Sequence, residues 1–354
     1  MLGLPREGVT VEWLLQPFKA VIFQPVITGL LLAVVFEKPL EAQSVIYQLF
    51  GSHITITGLR NGLGVLCGLG LLFRANKWLS RQALNNWTSD RSWKWDREVV
   101  VITGGSSGIG EILVHAFGGK GIKVASLDIQ SPRKPLPASA RFYSADITSV
   151  KAIGEAGRRI RDDLGEATVL ILNAGIGSGE TILAEPVEML EKTFQVNTLS
   201  HFYLAREFLP HMIKHNHGHV VTVASMASFT PIASNVQYSC TKASALSFHE
   251  GLAQELKHRY SSPRVRTTVV HPFWTRTPLI ERLMTSPHFK KFVLEPETVA
   301  GAIVDQIMKG ESAQIILPTR FSLLAPLLRG LPSWLQVAVR DADKSLMDID
   351  AVKR

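Results

Sequence analysis

Cysteine is scarce in this chain: 354 residues hold two, Cys67 and Cys240. Two separated thiols exclude a disulfide framework and a cysteine-based zinc site, and Cys240 is expected to pack a helix rather than react. The eleven histidines do not make good that lack. His211, His215, His217 and His219 have tract-like spacing but no cysteine or carboxylate partner, so they read as a solvated helix end and no metal is expected. No nucleic-acid motif accompanies the net charge of +8, and nucleic acid is not an expected partner.

Charge is missing over long stretches near the start. Ala20–Phe36 runs 17 residues without a charge, and Leu30–Phe36 is wholly apolar. As a helix this stretch would measure about 26 Å, just short of a hydrocarbon core of about 30 Å. Pro25 and Gln24 weaken its start. A second stretch, Val45–Phe73, is interrupted by His53 and Arg60, and its best part, Leu63–Phe73, is 11 residues and glycine-rich. It would cross if Arg60 snorkels, or be re-entrant. The first stretch is the stronger of the two. Two buried helices of an extra domain are the alternative, disfavoured because only Glu37-Lys38-Pro39-Leu40-Glu41 separates the dense apolar runs. A cleaved signal peptide is disfavoured by the acids Glu7 and Glu12 beside Arg6.

The flank after Phe73 is cationic. Arg74, Lys77, Arg81, Arg91, Lys94 and Arg97 stand against only Asp90 and Asp96. Such a flank marks the cytoplasmic side, and Trp78, Trp87, Trp93 and Trp95 fit an interfacial belt. The flank and anionic lipid account for the net charge.

Beyond it lie two patterns that carry chemistry. The β-branched run Val99–Thr103 reads as a buried parallel strand. It enters Thr103-Gly104-Gly105-Ser106-Ser107-Gly108-Ile109-Gly110, and a helical pattern from Ile109 ends at Gly118-Gly119. A strand, a glycine turn and a helix N-terminus make a pyrophosphate site, because backbone N–H groups and the helix dipole face the anion. The next strand, Lys123–Leu127, ends in Asp128, 18 residues after Gly110 and near the spacing of a ribose ligand. Asp128 accepts from a 2′-hydroxyl and repels a 2′-phosphate. With no Arg or Lys inside Gly104–Gly110, NAD is expected over NADP, although Arg133 and Lys134 stand just downstream.

The second pattern is Tyr238-x-x-x-Lys242, with Ser225 thirteen residues before the tyrosine. His219–Ser225 reads as a strand and Val236–Tyr260 as a helix, which puts Tyr238 and Lys242 on one face. An ammonium beside a phenol is expected to lower the phenol's pKa and fit it for acid–base work. Ser225 is placed to hydrogen-bond a substrate oxygen.

From about Trp95 to Leu317 the chain resembles the short-chain dehydrogenase/reductase family. Thr103–Gly110, Asp146 in Ala-Asp-Ile147, Asn173-Ala174-Gly175, Asn197, Ser225, Tyr238 and Lys242 carry the likeness. The resemblance implies a catalytic tetrad. Tyr238 would be the proton donor or acceptor and Ser225 would orient the substrate oxygen. Lys242 would bind the nicotinamide ribose, and Asn197 would support a relay water. Asp146 would contact the adenine, and Asn173–Gly175 would support the sheet beside the cofactor. Two departures stand out. Leu172 replaces an asparagine before Asn173, and Phe273 replaces the glycine after Pro272. Either Thr275 or Thr277 would meet the carboxamide, with Thr277 favoured by the family spacing.

The resulting expectation is a doubly wound α/β Rossmann fold with a parallel sheet of about seven strands. Gly165–Asn173, Val265–His271 and Ala313–Leu317 supply later strands. Residues 1–94 form a membrane-anchoring region, 95–318 the catalytic domain and 319–354 an amphipathic tail. The tail segment Phe321–Leu335 would lie on a membrane, roof the substrate pocket or pack on the domain. Thr275–Phe292 would be a lid, with Phe273, Trp274, Leu279, Ile280, Leu283, Met284 and Phe289 offering apolar surface to a lipophilic substrate. The layout resembles the membrane-associated branch with retinol and hydroxysteroid dehydrogenases, at the endoplasmic reticulum or lipid droplet and facing the cytosol. A homodimer would pair the regions Glu185–His215 and Val236–Tyr260. An NADPH-dependent lipid ketoreductase and a membrane-anchored scaffold without turnover are the alternatives. The first sits badly with Asp128, the second with Tyr238 and Lys242 together.

Overall fold

The computed structural model describes residues 6–8, 23–50, 55–286, 289 and 291–342. Ala20, Val21 and Ile22 of the first apolar stretch, His53 of the second, and both termini lie outside the described residues. The chain forms two compact units, Met1–Ala83 and Leu84–Arg354.

In the first unit the helices are α1 (Pro25–Glu37), α2 (Pro39–Phe50) and α3 (Ile56–Leu84). α1 has 13 residues, about 20 Å. α3 has 29 residues, about 43 Å, and among the described residues it is the helix long and apolar enough to cross a membrane. This reverses the expected ranking of the two segments. It also replaces the re-entrant alternative with an unbroken helix, because Leu71 to Leu84 supplies good helix formers after the glycines. α1 lies antiparallel to α3. The Cys67 thiol donates to the Pro25 carbonyl (3.6 Å), and Arg60 Nη2 donates to the Val35 carbonyl (3.1 Å). A Cβ on Gly70 would sit 2.8 Å from the Phe23 carbonyl oxygen, so glycine permits the close approach. Arg60 also lies 4.5 Å over the Phe36 ring. Its charge therefore meets the C-terminal, partly negative end of α1. Val65, Leu71, Leu72 and Phe73 remain exposed along α3.

The second unit is built on β1 (Val99–Thr103), β2 (Lys123–Asp128), β3 (Ala140–Ser144), β4 (Val169–Leu172), β5 (Gly218–Val223), β6 (Val265–Pro272) and β7 (Ala313–Leu317). They form one sheet in the order β3-β2-β1-β4-β5-β6-β7. Each neighbouring pair is parallel. The expected doubly wound sheet of seven strands is thus present.

The uninterrupted apolar runs follow from burial on both faces. Val99, Val101, Leu170 and Leu172 point to one core, shared with α5 (Val150–Asp163), α7 (Ser200–His215) and α8 (Val236–His258). Val100, Ile102, Val169 and Ile171 point to the other, shared with α4 (Gly108–Gly118) and α10 (Pro296–Met308). α6 (Val187–Phe194) precedes α7, and α9 (Glu281–Met284) lies between β6 and α10. The tail folds into the short α11 (Leu324–Leu327) and α12 (Ser333–Asp341).

Residues 84–98 form a strap near the starts of β1, β5 and β6. Buried Arg266 donates to the carbonyls of Asn85 and Thr88, both at 3.0 Å. Trp93 stacks on Trp95 at 5.0 Å, and both pack against the second core. These two tryptophans are partly buried against the domain, which departs from the expected interfacial belt. The histidine tract also departs from expectation. His217 Nδ1 lies 2.7 Å from Asp90 and its Nε2 lies 3.2 Å from Glu98, so it is a partnered, partly buried group. Sequence distance hid this contact. The described residues still hold no group of three or more metal ligands.

This cluster makes stability depend on pH. Burial opposes charge on His217, but hydrogen bonds to Glu98 and Asp90 outweigh it and raise the imidazole pKa. Burial likewise opposes the charge on both carboxylates, and their hydrogen bonds lower them. A raised histidine stabilises fully below about pH 6.5 and loses that contribution as pH passes the folded value. The lowered carboxylates contribute above about pH 4.5 and lose it on acidification. The Tm difference between wild type and His217→Ala should therefore be largest at about pH 4.5–6.5 and shrink toward alkaline pH. Melting curves across pH 4–9 check this, and a difference that grows with pH contradicts it.

Candidate active site

The sheet order reverses between β1 and β4, and at such a point the loops part to leave a crevice. Polar stitches hold that parting. The Thr103 hydroxyl donates to the Ile171 carbonyl (3.2 Å) and accepts from the N–H groups of Asn173 (3.0 Å) and Ala174 (3.1 Å). Asn173 Nδ2 donates back to the Thr103 and Gly104 carbonyls, at 2.9 and 3.3 Å.

The glycine turn comes directly after β1. Gly104 and Gly108 have φ of +67° and +54°, where glycine is strongly favoured. A Cβ on Gly110 would overlap the Gly104 carbonyl oxygen. Ser107 precedes the first turn of α4, whose leading N–H groups lack intrahelical acceptors. This cradle of bare backbone and helix N-terminus fits a pyrophosphate.

Asp128 ends β2. Its Oδ2 accepts from Ser106 N and its Oδ1 from Gln130 N, both at 3.0 Å. The carboxylate is thereby fixed beside the turn, with lone pairs to spare. Ser106 Oγ donates to the Gln130 carbonyl at 2.6 Å. Lys134, the basic residue that tempers the cofactor expectation, is 3.4 Å from Glu111. Asp146 is exposed and caps its own turn through Thr148 N (2.9 Å), while the next residue, Ile147, is buried. Thr277 packs on the turn: a Cβ on Gly108 would lie 3.3 Å from its methyl carbon. Thr275 is buried and donates to the Phe273 carbonyl. Of the two threonines, Thr277 is the one the fold brings to the glycine turn. Pro272 closes β6.

Asn197, Ser225, Tyr238 and Lys242 come together beside β4 and β5. Asn197 sits in a π-helical turn, Gln195–Leu199, between α6 and α7. Such turns recur at functional sites and have no sequence signature. Its Nδ2 donates to the Ile176 carbonyl (2.8 Å) and Thr241 Oγ1 (3.0 Å), and its Oδ1 accepts from Ile176 N (2.9 Å). β5 stops at Val223, short of the expected strand end. Ser225 stands just past it, before the 3-10 turn Met226–Ser228, and its Oγ accepts from Ala227 N at 3.1 Å. Tyr238 lies in the first turn of α8 and Lys242 one turn later.

The electrostatics differ from the sequence expectation. Burial pushes the Tyr238 phenol up to about 12, against the pull of its hydrogen bond with Ser225. Lys242 is not the counterweight. Its Nζ lies 5.6 Å from the centre of the Tyr238 ring and donates to the Val223 carbonyl at 2.8 Å. Burial lowers Lys242 itself to about 8.

The expected apolar lid is partly self-packed. Ile280 and Leu283 are buried against Trp274, Met284 and Phe289, with Ile232 and Val293. Phe273 packs against the second core and meets Phe321 at 5.5 Å in a tilted contact, with its ring edge-on to Trp274 at 6.3 Å. Two contacts had no sequence signal. Gln237 Nε2 donates to Ser178 Oγ (2.5 Å) and to Glu185 (3.2 Å), tying the loop after β4 to α8. Arg329 of the tail donates to the Ser228 carbonyl at 2.8 Å.

Comparison with known proteins decides the family. Residues 98–287 match the short chain dehydrogenase family model. The chain is a short-chain dehydrogenase/reductase. It is 33% identical over 251 residues to estradiol 17-beta-dehydrogenase 11 of Mus musculus, covering 68% of this chain and 82% of that one. Dehydrogenase RED2 of Cochliobolus heterostrophus is 43% identical over 208 residues, 58% of this chain and 77% of its own. These relatives bear out the hydroxysteroid-dehydrogenase-like branch. In fold, the second unit's sheet has counterparts such as 4-hydroxyisoleucine dehydrogenase complexed with NADH. That structure has a TM-score of 0.55 at 20% identity, covering 62% of this chain and 96% of that one. This short-chain dehydrogenase is thus an oxidoreductase of CH–OH groups that takes a nicotinamide cofactor and a small-molecule substrate.

The packing at Gly110 gives a test. Gly110→Ala should weaken NADH binding by about tenfold or more, because the added methyl forces α4 off the turn. Fluorescence titration checks this, and unchanged affinity contradicts the close-packing account.

Proposed function

We propose that this short-chain dehydrogenase interconverts an alcohol and a carbonyl on a lipophilic substrate, using NAD, from a membrane-attached position. The observation that carries the reading is the convergence of Tyr238, Ser225, Lys242 and Asn197 beside a glycine cradle and Asp128. A bound nicotinamide supplies the hydride acceptor or donor. The Asp128 carboxylate, fixed by Ser106 and Gln130, favours a free 2′-hydroxyl and repels a 2′-phosphate. Asp146 and Ile147 would flank the adenine, and Thr277 would meet the carboxamide.

Ser225 holds the substrate oxygen, and Tyr238 exchanges a proton with it. With its pKa at about 12 the phenol is protonated at neutral pH and ready to donate. Oxidation needs the phenolate, so it requires positive charge nearby, from Lys242 and from oxidised nicotinamide. Asn197 spends its amide on Ile176 and Thr241, which leaves one Oδ1 lone pair for a relay water.

Apolar Trp274, Met284, Phe289 and exposed Leu279 support a lipophilic substrate. Estradiol, named for the murine relative, is a fitting first probe beside retinol and long-chain alcohols. The exposed apolar side chains of α3 support membrane attachment, and Arg74, Lys77 and Arg81 at its C-terminal side support a cytosolic catalytic unit. The endoplasmic reticulum or a lipid droplet is the proposed location. Exposed Val187, Leu190, Phe194 and Phe202 on α6 and α7 support pairing of two copies.

Tyr238→Phe should cut turnover by about 10² or more while NADH still binds. Wild-type oxidation should rise with pH and prefer NAD to NADP in kcat/KM. Full activity in Tyr238→Phe would falsify the acid–base role, and a clear NADP preference would remove the role given to Asp128. For attachment, the full chain should stay with membranes in alkaline carbonate, and a C-terminal tag should be open to protease in sealed microsomes. Release by carbonate rules out an integral anchor, and a protected tag reverses the orientation.

A further inference from the structure

His271 lies in β6, fully buried and next to Pro272, on no part of the reacting surface. Its Nδ1 is 3.1 Å from the carbonyl oxygen of Ser225. Gln314 Nε2, from β7, is 3.2 Å from its Nε2. An amide N–H offered to Nε2 makes that nitrogen the acceptor, which leaves the proton on Nδ1 to be donated to Ser225. The Phe229 ring packs against the imidazole, tilted by 41° with ring centres 4.6 Å apart. The Ser225 carbonyl also accepts from Ser228 N at 3.0 Å, so the two bonds occupy both of its lone pairs.

These contacts matter because Ser225 has left the sheet. Ala224 N still donates to the Val270 carbonyl at 2.8 Å, and β5 pairing ends there. The backbone that aims the Ser225 hydroxyl therefore depends on the following turn and on one side chain from the neighbouring strand. We infer that His271 is a positioning residue for the reaction, acting through the main chain of Ser225 to hold its hydroxyl against Tyr238 and the substrate oxygen. The inference rests on the assignment of Ser225 and Tyr238 proposed above.

Burial keeps the ring neutral, with its pKa pushed down to about 4. Lys242, from α8, adds to that effect, and His249 on the same helix feels His271 in turn. The donor–acceptor polarity of the ring is then constant through physiological pH.

The test is a double-mutant cycle on the detergent-solubilised full chain. The probe is NAD-dependent oxidation of the panel alcohol with the highest turnover among estradiol, all-trans-retinol and 1-dodecanol. His271→Leu should lower kcat by about tenfold to a hundredfold, with NADH affinity unchanged. His271→Asn keeps an N–H donor at nearly the same place and should recover most of the loss. In a Ser225→Ala background, with no hydroxyl left to aim, His271→Leu should cost little more. The same loss in both backgrounds, or full kcat in His271→Leu, overturns the inference. If His271→Leu does not fold, His271→Met, which also lacks an N–H donor, carries the cycle, and equal loss in both backgrounds again overturns it. Tyr238→Phe separates the two proposals. Full activity there sinks the parent assignment whatever His271 does, whereas an inactive Tyr238→Phe beside an indifferent His271→Leu sinks only the inference.

Discussion

The site depends on how β1 and β4 separate at their carboxyl ends. Both strands are wholly buried, so neither has water to satisfy its last polar groups, and a parting there would leave orphaned donors and acceptors. Thr103 and Asn173 answer that demand with five hydrogen bonds across the gap. Gly104 departs from one lip, and Ala174 and Gly175 from the other. A Cβ on Gly175 would sit 3.4 Å from Lys242 Nζ and 3.5 Å from Asn197 Oδ1. The backbone beyond β4 thus reaches the side chains proposed for catalysis directly. The cofactor cradle and the acid–base residues share one scaffold, and a change in the stitch moves both.

Burial then sets the charge states. Tyr238 is pushed up and Lys242 down by the same cause, loss of solvent. Nearby His201 and His249 are pushed down to about 3 and about 4, so they are neutral at physiological pH. Lys242 therefore supplies the positive charge near Tyr238 when no cofactor is bound. The positive charge of an oxidised nicotinamide would act there in a low-dielectric setting, where a charge is felt most strongly. This explains how a phenol with its pKa at about 12 could still serve alcohol oxidation.

Much of the fold and the site is legible in the sequence because local pattern and chemistry coincide. The run Val99–Thr103 and its glycine turn specify a strand, a helix and an anion cradle within a dozen residues. Tyr238 and Lys242 share a helix face by spacing alone. The hidden features are long-range. Nothing local joins His217 to Asp90 and Glu98, or His271 to Ser225, because each pair meets only after the sheet is assembled. The π turn at Asn197 has no residue signature. The pKa of Tyr238 departs from expectation because spacing reveals the proximity of Lys242 and conceals the burial. In the first unit, hydropathy ranks Ala20–Phe36 above Val45–Phe73. Helix continuity through Arg60 rests instead on a partner, the C-terminal carbonyl of α1, which charge counting cannot see.

The two edges of the sheet divide the work by kind of interaction. At the amino edge, the strap is held by charge: Arg266 on the carbonyls of Asn85 and Thr88, and His217 between two carboxylates. Such contacts are strong when buried and intolerant of losing one partner. At the carboxyl edge, most contacts around the reacting groups are neutral, from the hydroxyls of Thr103 and Ser225, the amide of Asn197 and the imidazole of His271, with the buried Lys242 ammonium as the cation among them. Loss of one partner therefore costs most at the amino edge, where His217 is shared by two carboxylates, while the carboxyl edge rests mainly on neutral bonds around one buried lysine.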